Sequence, residues 1–457
     1  MSEPVDPTRL PRPGAAPSVR FPSIGAVRLS SGVELRTVEH PGPPVIQWLL
    51  LLCHGSAADP ATQPGLAALT ADLLDEGSER RSALELHRAL DGIGARLGVH
   101  VGPDTTTLSL MTLTQHAADG LALLGEIATQ PRFEPTDFDR VRTLRRNRLR
   151  QMRTVPSAVA DRAYIEALYP GHPYGHLGIG TDTALAGLTI DDVRQFHAGT
   201  YRLETGTLIA AGAFTHERLI QIADAALGDL TGGTGRADGR ERVTPGAPAE
   251  PSARLVVVDR PGAVQSEIRI GHVAVSRRTP HYHALHVMNM VLGGQFVSRL
   301  NRSLREEKGY TYGVRTGFDF RSAPGPFTMH GCVQADATVE SVREVLDEMT
   351  ALGGARPVTS SELDLARASL TKGYTRGFET SGQVARGVMQ LVQHDLPADE
   401  HDQFVPRVNA VEAADVTMAA ATYLRPNQAV VVVVGPAREI ENGLEALNLG
   451  PAVRSDG

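Results

Sequence analysis

The sequence predicts an α+β protein built from two homologous lobes, each a mainly antiparallel sheet covered by helices. Two observations predict this fold. The same order of strand-like and helical segments occurs twice, and a Gly-, Pro- and charge-rich stretch at 230–252 separates the two copies. With 457 residues, 41% of them hydrophobic, the chain can bury two sizeable cores. We predict an N-terminal extension at 1–22, an N-terminal lobe at 23–229, a linker at 230–252 and a C-terminal lobe at 253–448.

Each segment of the first half has a counterpart in the second half. A strand comes first, then a helical stretch, then a second strand-like run, and a buried strand closes each half. The paired segments are 45–53 and 265–272, 65–74 and 283–292, 105–112 and 326–333, and 207–212 and 429–435. A helix running into Tyr201 or Tyr423 precedes each closing strand, and these tyrosines are 222 positions apart. Similar offsets separate the other pairs, which indicates an internal duplication.

Local signals predict where two helices begin. Ser82 with Glu85 has the spacing of a capping box, in which each residue bonds the other's backbone amide. Thr189 with Asp192 marks a second helix start.

Composition excludes several classes of protein. The formal net charge of −7 argues against a nucleic-acid binder. Two distant cysteines, Cys53 and Cys332, exclude a disulfide framework and favour buried structural thiols. The N-terminus lacks the pattern of a secretory signal, and no apolar run is long enough to span a bilayer. We therefore expect a soluble, cytoplasmic protein without a membrane partner.

Four stretches of the sequence form a recognisable series. They read GLAALTADLLDEGS at 65–78 with RSALEL at 81–86, ALYPGHPYG at 167–175 with GT at 180–181, LGG at 292–294 with SRL at 298–300, and LREEKGYTY at 304–312. In this order they resemble the insulinase-type (M16) zinc peptidases, over roughly residues 25–450. The resemblance implies the two-lobed fold and a link to zinc-assisted peptide hydrolysis.

The zinc site that the resemblance implies is missing from the sequence. An active member carries His-x-x-Glu-His on a helix, so that two imidazoles one turn apart grip the metal and the Glu activates water. Here those positions hold Ala68, Ala71 and Asp72. The family's third ligand, a Glu, falls near Asn147 or Arg148, in a run from 141 to 150 that has five arginines and no carboxylate. We predict no metal or cofactor in this chain.

The second half keeps a different part of the family pattern. The family has an Arg and a Tyr, seven positions apart, that reach into the catalytic chamber, and Arg305 and Tyr312 match them. The resemblance implies that the Tyr hydroxyl donates to an oxyanion and that the Arg holds a peptide carbonyl. Tyr310 is a rival for Tyr312, but the spacing favours Tyr312. An ordinary exposed Arg and a packed aromatic are the alternative interpretation.

These observations lead to a hypothesis about function. The chain is predicted to be the non-catalytic subunit of an M16-type peptidase, inactive alone, in a heterodimer with a partner that bears His-x-x-Glu-His and zinc. Unfolded peptide is the expected substrate, bound by strand addition at a sheet edge. Two alternatives stay open: a structural scaffold, like the core subunits of respiratory complexes, and a homodimeric peptide-binding protein without proteolysis.

Other polar clusters have ordinary explanations. His281, His283 and His286 are predicted to be surface or helix-start histidines, because no carboxylate or Cys accompanies them in a ligand-like spacing. A solvated helix end is the prediction for Asp72, Asp75 and Glu76 rather than a hard-cation site. The Arg-rich run at 140–153 is predicted to be a solvated helix face, with a basic chamber wall as the alternative.

Overall fold

The computed structural model describes residues 19–227 and 245–455, which form two lobes around two six-stranded sheets. Most of the predicted extension and most of the predicted linker lie outside these residues. The strands are β1 Ile24–Arg28, β2 Glu34–Glu39, β3 Val45–Leu52, β4 Gly77–Ser78, β5 Arg81–Ser82, β6 Arg96–Val101, β7 Thr106–Leu113, β8 Thr207–Gly212, β9 Leu255–Asp259, β10 Gln265–Val273, β11 Val314–Phe318, β12 Pro326–Gln334, β13 Val430–Gly435 and β14 Val453–Ser455.

The helices fall into two sets of similar order. They are α1 Leu66–Asp72, α2 Ala83–Gly92, α3 Ala117–Thr129, α4 Pro135–Met152, α5 Pro156–Leu168, α6 Asp182–Gly187, α7 Ile190–Thr200, α8 His216–Leu227, α9 Tyr282–Asn289, α10 Arg299–Asn301, α11 Thr338–Leu352, α12 Ser360–Thr371, α13 Ser381–His394, α14 Glu400–Ala410, α15 Ala413–Tyr423 and α16 Ala437–Glu445. Two π-helical segments, Met290–Gly294 and Arg302–Glu307, follow α9 and α10.

The two sheets have the same topology, which confirms the predicted fold and agrees with the duplication. The N-terminal sheet has the order β1-β2-β8-β3-β7-β6, and the C-terminal sheet has the order β14-β9-β13-β10-β12-β11. In each, the closing strand lies parallel to the first strand of the repeat, and the other inner pairs are antiparallel. The outer strands beside β2 and β9 differ: β1 precedes its neighbour in the chain, whereas β14 is added after residue 448.

Each lobe buries one face of its sheet under its own helices. Strand β3 contributes Ile46, Trp48 and Leu50 to the N-terminal core, and all three are almost completely buried. In β13 the alternate residues Val431 and Val433 face the C-terminal core. The side chains between them, Val430, Val432 and Val434, are equally buried on the opposite face. The run of β-branched residues therefore forms a strand covered on both faces.

The opposite face of each sheet is covered by a helix from the other half of the chain. Helix α5 follows α4 in sequence, yet its Val159, Ala160 and Ala163 pack on β9 and β13 of the C-terminal sheet. Helix α13 packs Val384, Ala385 and Val388 on β3 and β8 of the N-terminal sheet. This reciprocal exchange makes each lobe depend on the other for part of its core.

A polar clamp also joins the lobes. It consists of Tyr169 and Tyr174 from one half, with Asp104, against the turn between β11 and β12. The Tyr169 hydroxyl donates to Pro324 O at 3.1 Å, and Asp104 accepts from Ser322 N at 2.8 Å. Tyr174 bonds Asp104 through its hydroxyl. The second family-like stretch at 167–175 therefore contributes to lobe docking.

The predicted helix starts are confirmed. Ser82 with Glu85 and Thr189 with Asp192 form reciprocal capping boxes at α2 and α7. Within residues 19–227 and 245–455, no helix combines the length and the apolar character needed to cross a membrane.

Candidate functional site

Helix α1, which carries the positions of the family's first zinc motif, is rigidly anchored at its start. The buried Asp59 carboxylate accepts from the amides of Gly65 and Ala67, both at 2.7 Å, and lies 3.0 Å from His176 Nε2. Negative charge at a helix N-terminus is favourable. Gly65 has φ = 101° and Gly180 has φ = 82°, and a Cβ on Gly180 would lie 2.3 Å from Pro64 O. This close approach explains both glycines of the family-like stretches.

A cavity of about 370 Å³ opens between α1, α4 and the edge strand β6. Its lining residues are Ala71, Asp72, Asp75, Glu76, Leu97, Gly98, Val99, Val141, Leu144, Arg145 and Arg148. Of the predicted positions, Ala71, Asp72 and Arg148 come together here. Ala68 is buried and, like Asn147, does not line the cavity; the Asn147 amide accepts from Arg150 instead.

Arg145 holds the charged centre of this cavity. Its guanidinium forms an ion pair with Asp72 and donates to Gly178 O at 2.7 Å and to Ile179 O at 3.2 Å. The arginine side chain is only 10% exposed, although Asp72 is 50% exposed. A cation held by three acceptors beside the second histidine position of the motif would repel a divalent metal.

Most arginines of the run at 140–153 are similarly neutralised. Arg140 pairs with Glu76, and Arg146 bonds Asp182 through two nitrogens at 2.8 and 3.2 Å. The predicted solvated face therefore carries several ion pairs, two of which, those of Arg145 and Arg146, reach carboxylates on other helices. Arg148 is exposed and, in the described part of the chain, has no ion-pair partner.

On the acidic side of the cavity, Asp75 is more buried than a residue at a solvated helix end would be. Burial, and then the neighbouring Glu76, raises the pKa of Asp75 above its usual range. Among residues 19–227 and 245–455, no three His, Cys, Asp or Glu side chains lie close enough together to hold a metal ion. The donors present here do not fit a zinc site, which requires neutral imidazole, thiolate or carboxylate ligands around one point.

In the C-terminal lobe, Tyr312 projects from a fixed turn and is 93% exposed. The Thr311 hydroxyl donates to Cys332 O at 2.7 Å and accepts from Gly313 N at 3.0 Å, so the backbone on both sides is held. Tyr310 packs against the hydrophobic core instead. The structure thus assigns packing to Tyr310 and display to Tyr312, although the catalytic role of Tyr312 stays a prediction.

Arg305 lies on the π-helical segment that precedes this turn. Its Cζ sits 3.8 Å from the centre of the Phe296 ring, a cation–π geometry. Its Nη1 is buried and has no hydrogen-bond partner among the described residues. Phe296 is 62% exposed.

Tyr312 and Phe296 line a groove of about 680 Å³ beside the edge strand β11. The rest of the lining is Glu267, Gly294, Gln295, Asn301, Gly313, Val314, Arg315, His330, Gly331 and Cys332. Two of its glycines are required by close packing: a Cβ on Gly294 would lie 2.5 Å from Asn289 Nδ2, and one on Gly331 would lie 2.7 Å from Val314 Cγ1.

The histidines of the second half lie deeper than predicted. Helix α9 begins at Tyr282, so His281 and His283 lie at its start as predicted, whereas His286 lies in its last turn. His283 and His286 face inward against Phe404, and neither Nε2 has a hydrogen-bond partner in the described chain. Burial lowers the pKa of each imidazole to about 4. His283 and His286 alternate with the apolar residues Leu285 and Met288 on a short helix. The sequence therefore did not show which face of the helix the two imidazoles occupy.

Both cysteines are free and half-buried. Cys332 lies on β12, and burial together with Glu267 raises its pKa to about 11. A thiol with such a pKa is a weak nucleophile at neutral pH.

Sequence reasoning missed three residues of these sites: Arg145, Phe296 and Asn301. Arg145 was visible only as one of five arginines. Its pairing with Asp72 could not be predicted from helical spacing, because the two residues lie on different helices. Phe296 follows the Gly293-Gly294 pair, and an exposed aromatic beside a glycine pair is a weak signal that could have been noted.

The fold and the two grooves define a two-lobed, peptidase-like chain with one degenerate site. Comparison with known families agrees. The profile of the insulinase family, peptidase family M16, matches residues 38–182, and that of the M16 inactive domain matches residues 187–370. The chain belongs to the insulinase-like M16 peptidase family.

The relatives and solved structures have low sequence identity to this chain, but each matches more than half of its length. An uncharacterised zinc protease of Mycobacterium tuberculosis is 24% identical over 84% of this chain and 86% of its own length. A probable mitochondrial-processing peptidase subunit beta of Schizosaccharomyces pombe is 25% identical over 60% of this chain and 59% of that protein. The M16 inactive domain structure from Pseudomonas fluorescens has a TM-score of 0.83 at 24% identity, covering 91% of this chain and 98% of that one. A chain of Complex III2 from Candida albicans has a TM-score of 0.77 at 16% identity, covering 94% and 100%.

Proposed function

We propose that this protein is the non-catalytic subunit of a two-chain M16 peptidase. It binds unfolded peptide and presents Arg305 and Tyr312 to the zinc site of a partner that bears His-x-x-Glu-His. The observation that carries the proposal is the contrast between the two sites. An arginine ion pair lines the cavity beside the degenerate motif, while Tyr312 is 93% exposed on a turn fixed by hydrogen bonds.

A tyrosine ring that is 93% exposed leaves its faces and its hydroxyl free to contact another molecule. Tyr310, two residues earlier, is instead half-buried and packs against the core of its own lobe. The hydrogen bonds of Thr311 hold the backbone of the turn and do not involve the Tyr312 ring. This arrangement supports a role for Tyr312 outside its own lobe.

Zinc, bound by the partner, would activate a water for attack on the peptide carbonyl. The Tyr312 hydroxyl is suited to donate a hydrogen bond to the oxyanion that develops on that carbonyl. The Arg305 guanidinium, whose Cζ lies 3.8 Å from the centre of the Phe296 ring, is suited to donate to a neighbouring peptide carbonyl and so orient the scissile bond.

Strand β6 offers a place for the peptide backbone. It is the outer strand of the N-terminal sheet beside the charged cavity, and β7 is its one sheet neighbour. An extended segment can add to such an edge through main-chain hydrogen bonds. A cytoplasmic location for the complex stays a prediction.

The test is co-expression of this chain with a homologue that has an intact His-x-x-Glu-His. Tyr312→Phe should lower kcat of the complex by roughly 10²–10³, in line with the loss of one oxyanion donor. Tyr310→Phe is the matched control and should leave kcat within about twofold, because its ring packs in the core and no hydrogen bond to its hydroxyl is recorded in the described chain. Turnover that is unchanged by Tyr312→Phe would refute the role and favour a scaffold.

A further inference from the structure

We propose that Asn301 is the positioning residue of the Arg305 and Tyr312 pair: its one side-chain amide fixes both the loop on which Arg305 rests and the start of the strand that follows the turn of Tyr312. The inference rests on the proposed function. It adds to the family-like pair a third residue that touches neither substrate nor metal.

The Asn301 side chain is 4% exposed and uses both ends of its amide. Its Nδ2 donates to Val314 O at 3.0 Å, to Gln295 O at 3.1 Å and to Ser298 Oγ at 3.1 Å. Its Oδ1 accepts from Val314 N at 2.8 Å. Two hydrogens shared among three acceptors imply a bifurcated bond, which is common near helix ends.

The bonds to Val314 close the outer edge of β11. Both backbone groups of Val314 meet the amide, so Asn301 occupies the place that a further strand would take at this residue. Val314 follows Gly313, whose amide is held by Thr311. Tyr312 therefore sits between two fixed points, Thr311 and Val314, and its backbone direction is determined even though its ring touches solvent.

The bonds to Gln295 and Ser298 hold the other wall of the groove. These residues bracket Phe296, whose ring lies 3.8 Å from Arg305 Cζ. Because Arg305 Nη1 has no hydrogen-bond partner in the described chain, the Phe296 face is the main fixed contact of the guanidinium. Displacement of the loop would therefore release Arg305.

No common substitute reproduces the Asn301 geometry. Aspartate keeps the acceptor for Val314 N but turns a carboxylate toward the carbonyls of Gln295 and Val314, and a longer glutamine does not fit a site this buried.

In the N-terminal lobe, no side chain of the described residues outside β7 bonds the backbone of Leu97, Gly98 or Val99 in β6. The closed edge is thus a property of the C-terminal lobe.

The experiment compares Asn301→Ala with Ser303→Ala in the complex with the zinc-bearing partner. Ser303 lies on the same helical segment, but its hydroxyl donates to Glu344 at 2.7 Å, away from the groove. Asn301→Ala should lower kcat roughly tenfold to a hundredfold with little change in KM, because misplacement of about 1 Å has costs of this size. Ser303→Ala should leave both constants unchanged. Equal effects of the two variants, or a change in KM alone, would overturn the inference.

Hydrogen exchange of the isolated chain gives a readout that does not depend on turnover. In Asn301→Ala the hydrogen-bonded amides of segment 295–298 (Ser298) and of segment 312–314 (Gly313 and Val314) should lose protection together, while those of β9 and β13 keep theirs. If only one of the two segments changes, Asn301 does not couple them and the inference fails. Phe296→Leu serves if Asn301→Ala does not fold, since Phe296 is 62% exposed and its loss should lower kcat without altering protection at 312–314.

Tyr312→Phe in the same series separates this inference from the proposed function. If Tyr312→Phe leaves turnover unchanged, the proposed function is refuted, and hydrogen exchange then decides the Asn301 inference by itself. If Tyr312→Phe lowers turnover but Asn301→Ala does not, only the Asn301 inference is refuted.

Discussion

The grooves beside β6 and β11 lie at equivalent edge strands of the two sheets, yet their linings differ. The N-terminal groove is lined by the ion pair of Arg145 with Asp72. The C-terminal groove is lined by the exposed rings of Tyr312 and Phe296, and the Phe296 ring also lies against Arg305. A duplicated backbone thus carries different side chains at equivalent edges, and the proposed roles of the two grooves rest on that difference. The fold is shared, and the function of each groove depends on a few side chains.

The largest effect is expected from an attempt to rebuild zinc binding in the N-terminal groove. The rebuilt chain carries Ala68→His, Ala71→Glu, Asp72→His and Arg148→Glu. With Arg145 retained we expect weak zinc binding, because the guanidinium stays anchored to Gly178 O and Ile179 O and repels the ion. Adding Arg145→Ala should tighten zinc binding about tenfold or more, measured by chelator competition.

Arg142→Ala is the matched control for that experiment. Arg142 lies on the same helix but pairs with Asp139 and donates to Leu188 O. Equal zinc affinity with and without Arg145 would show that the ion pair is not what distinguishes this groove.

Acid should weaken the C-terminal lobe through His283 and His286. Burial is the main cause that lowers the pKa of both imidazoles from 6.5 to about 4; for His283 the nearby Arg407 and Arg277 add to it while Glu400 opposes it, and for His286 Arg277 and His283 add to it. A neutral imidazole in the folded state gives stability that is complete above pH 6.5 and is lost as the pH falls toward 4. We expect a loss of roughly 2 kcal/mol per histidine by pH 5.

Urea unfolding at pH 7 and pH 5 measures this effect. His286→Phe should flatten the pH dependence, because a phenyl ring fits among Tyr282, Phe320 and Phe404 and does not titrate. His281→Phe should keep the slope of the parent chain. An unaltered slope in His286→Phe would mean that the imidazole is not protonated in this range.

A smaller effect is expected from Arg145→Ala in the otherwise unchanged chain. Because Asp72 is 50% exposed, the ion pair itself contributes little, about 0–1 kcal/mol. The carbonyls of Gly178 and Ile179 lose their donor, so the free energy of unfolding should fall by about 1–3 kcal/mol in total. Arg148→Ala should change it by less than about 0.5 kcal/mol, since this exposed side chain has no ion-pair partner in the described chain. Similar values for the two variants would contradict the assignment of Arg145.

The smallest effect concerns Cys332 in the C-terminal groove. With its pKa raised to about 11 by burial and Glu267, the thiol should react with a maleimide at pH 7 more slowly than an unfolded cysteine. Mass spectrometry of Cys332→Ser and Cys53→Ser chains assigns the slow site. Fast labelling at residue 332 would mean that the groove is more open than the structure describes.

The sequence predicted the repeated elements because local signals specify them. Capping boxes at Ser82 and Thr189 and the valine run of β13 depend on neighbouring residues only. The exchange of α5 and α13 could not be predicted, because an apolar helix face does not indicate which of two similar sheets it covers. The π-helical segments Met290–Gly294 and Arg302–Glu307 were also missed, because the periodicity of apolar residues does not distinguish a short π-helical segment from a continued α-helix.

The candidate sites depend on both kinds of signal, and the roles of their residues stay predictions. Motif spacing located Arg305 and Tyr312 and the missing ligands at Ala68, Ala71 and Asp72, but the pairing of Asp72 with Arg145 joins residues far apart in sequence. Asn301 and Phe296 act through their contacts with other parts of the groove. Such contacts follow from the packing of α10 and β11, and no periodic pattern in the sequence indicates them.

The exchange of helices between the lobes has a consequence for synthesis on the ribosome. All six strands of the N-terminal sheet have been translated once residue 212 is added, but the helix that seals its second face, Ser381–His394, is made near the end of the chain. Until then Leu49, Ile209 and Ala211 present an uncovered apolar surface. A nascent or truncated chain that ends before residue 381 is therefore expected to be a substrate for chaperones, whatever the stability of the finished protein.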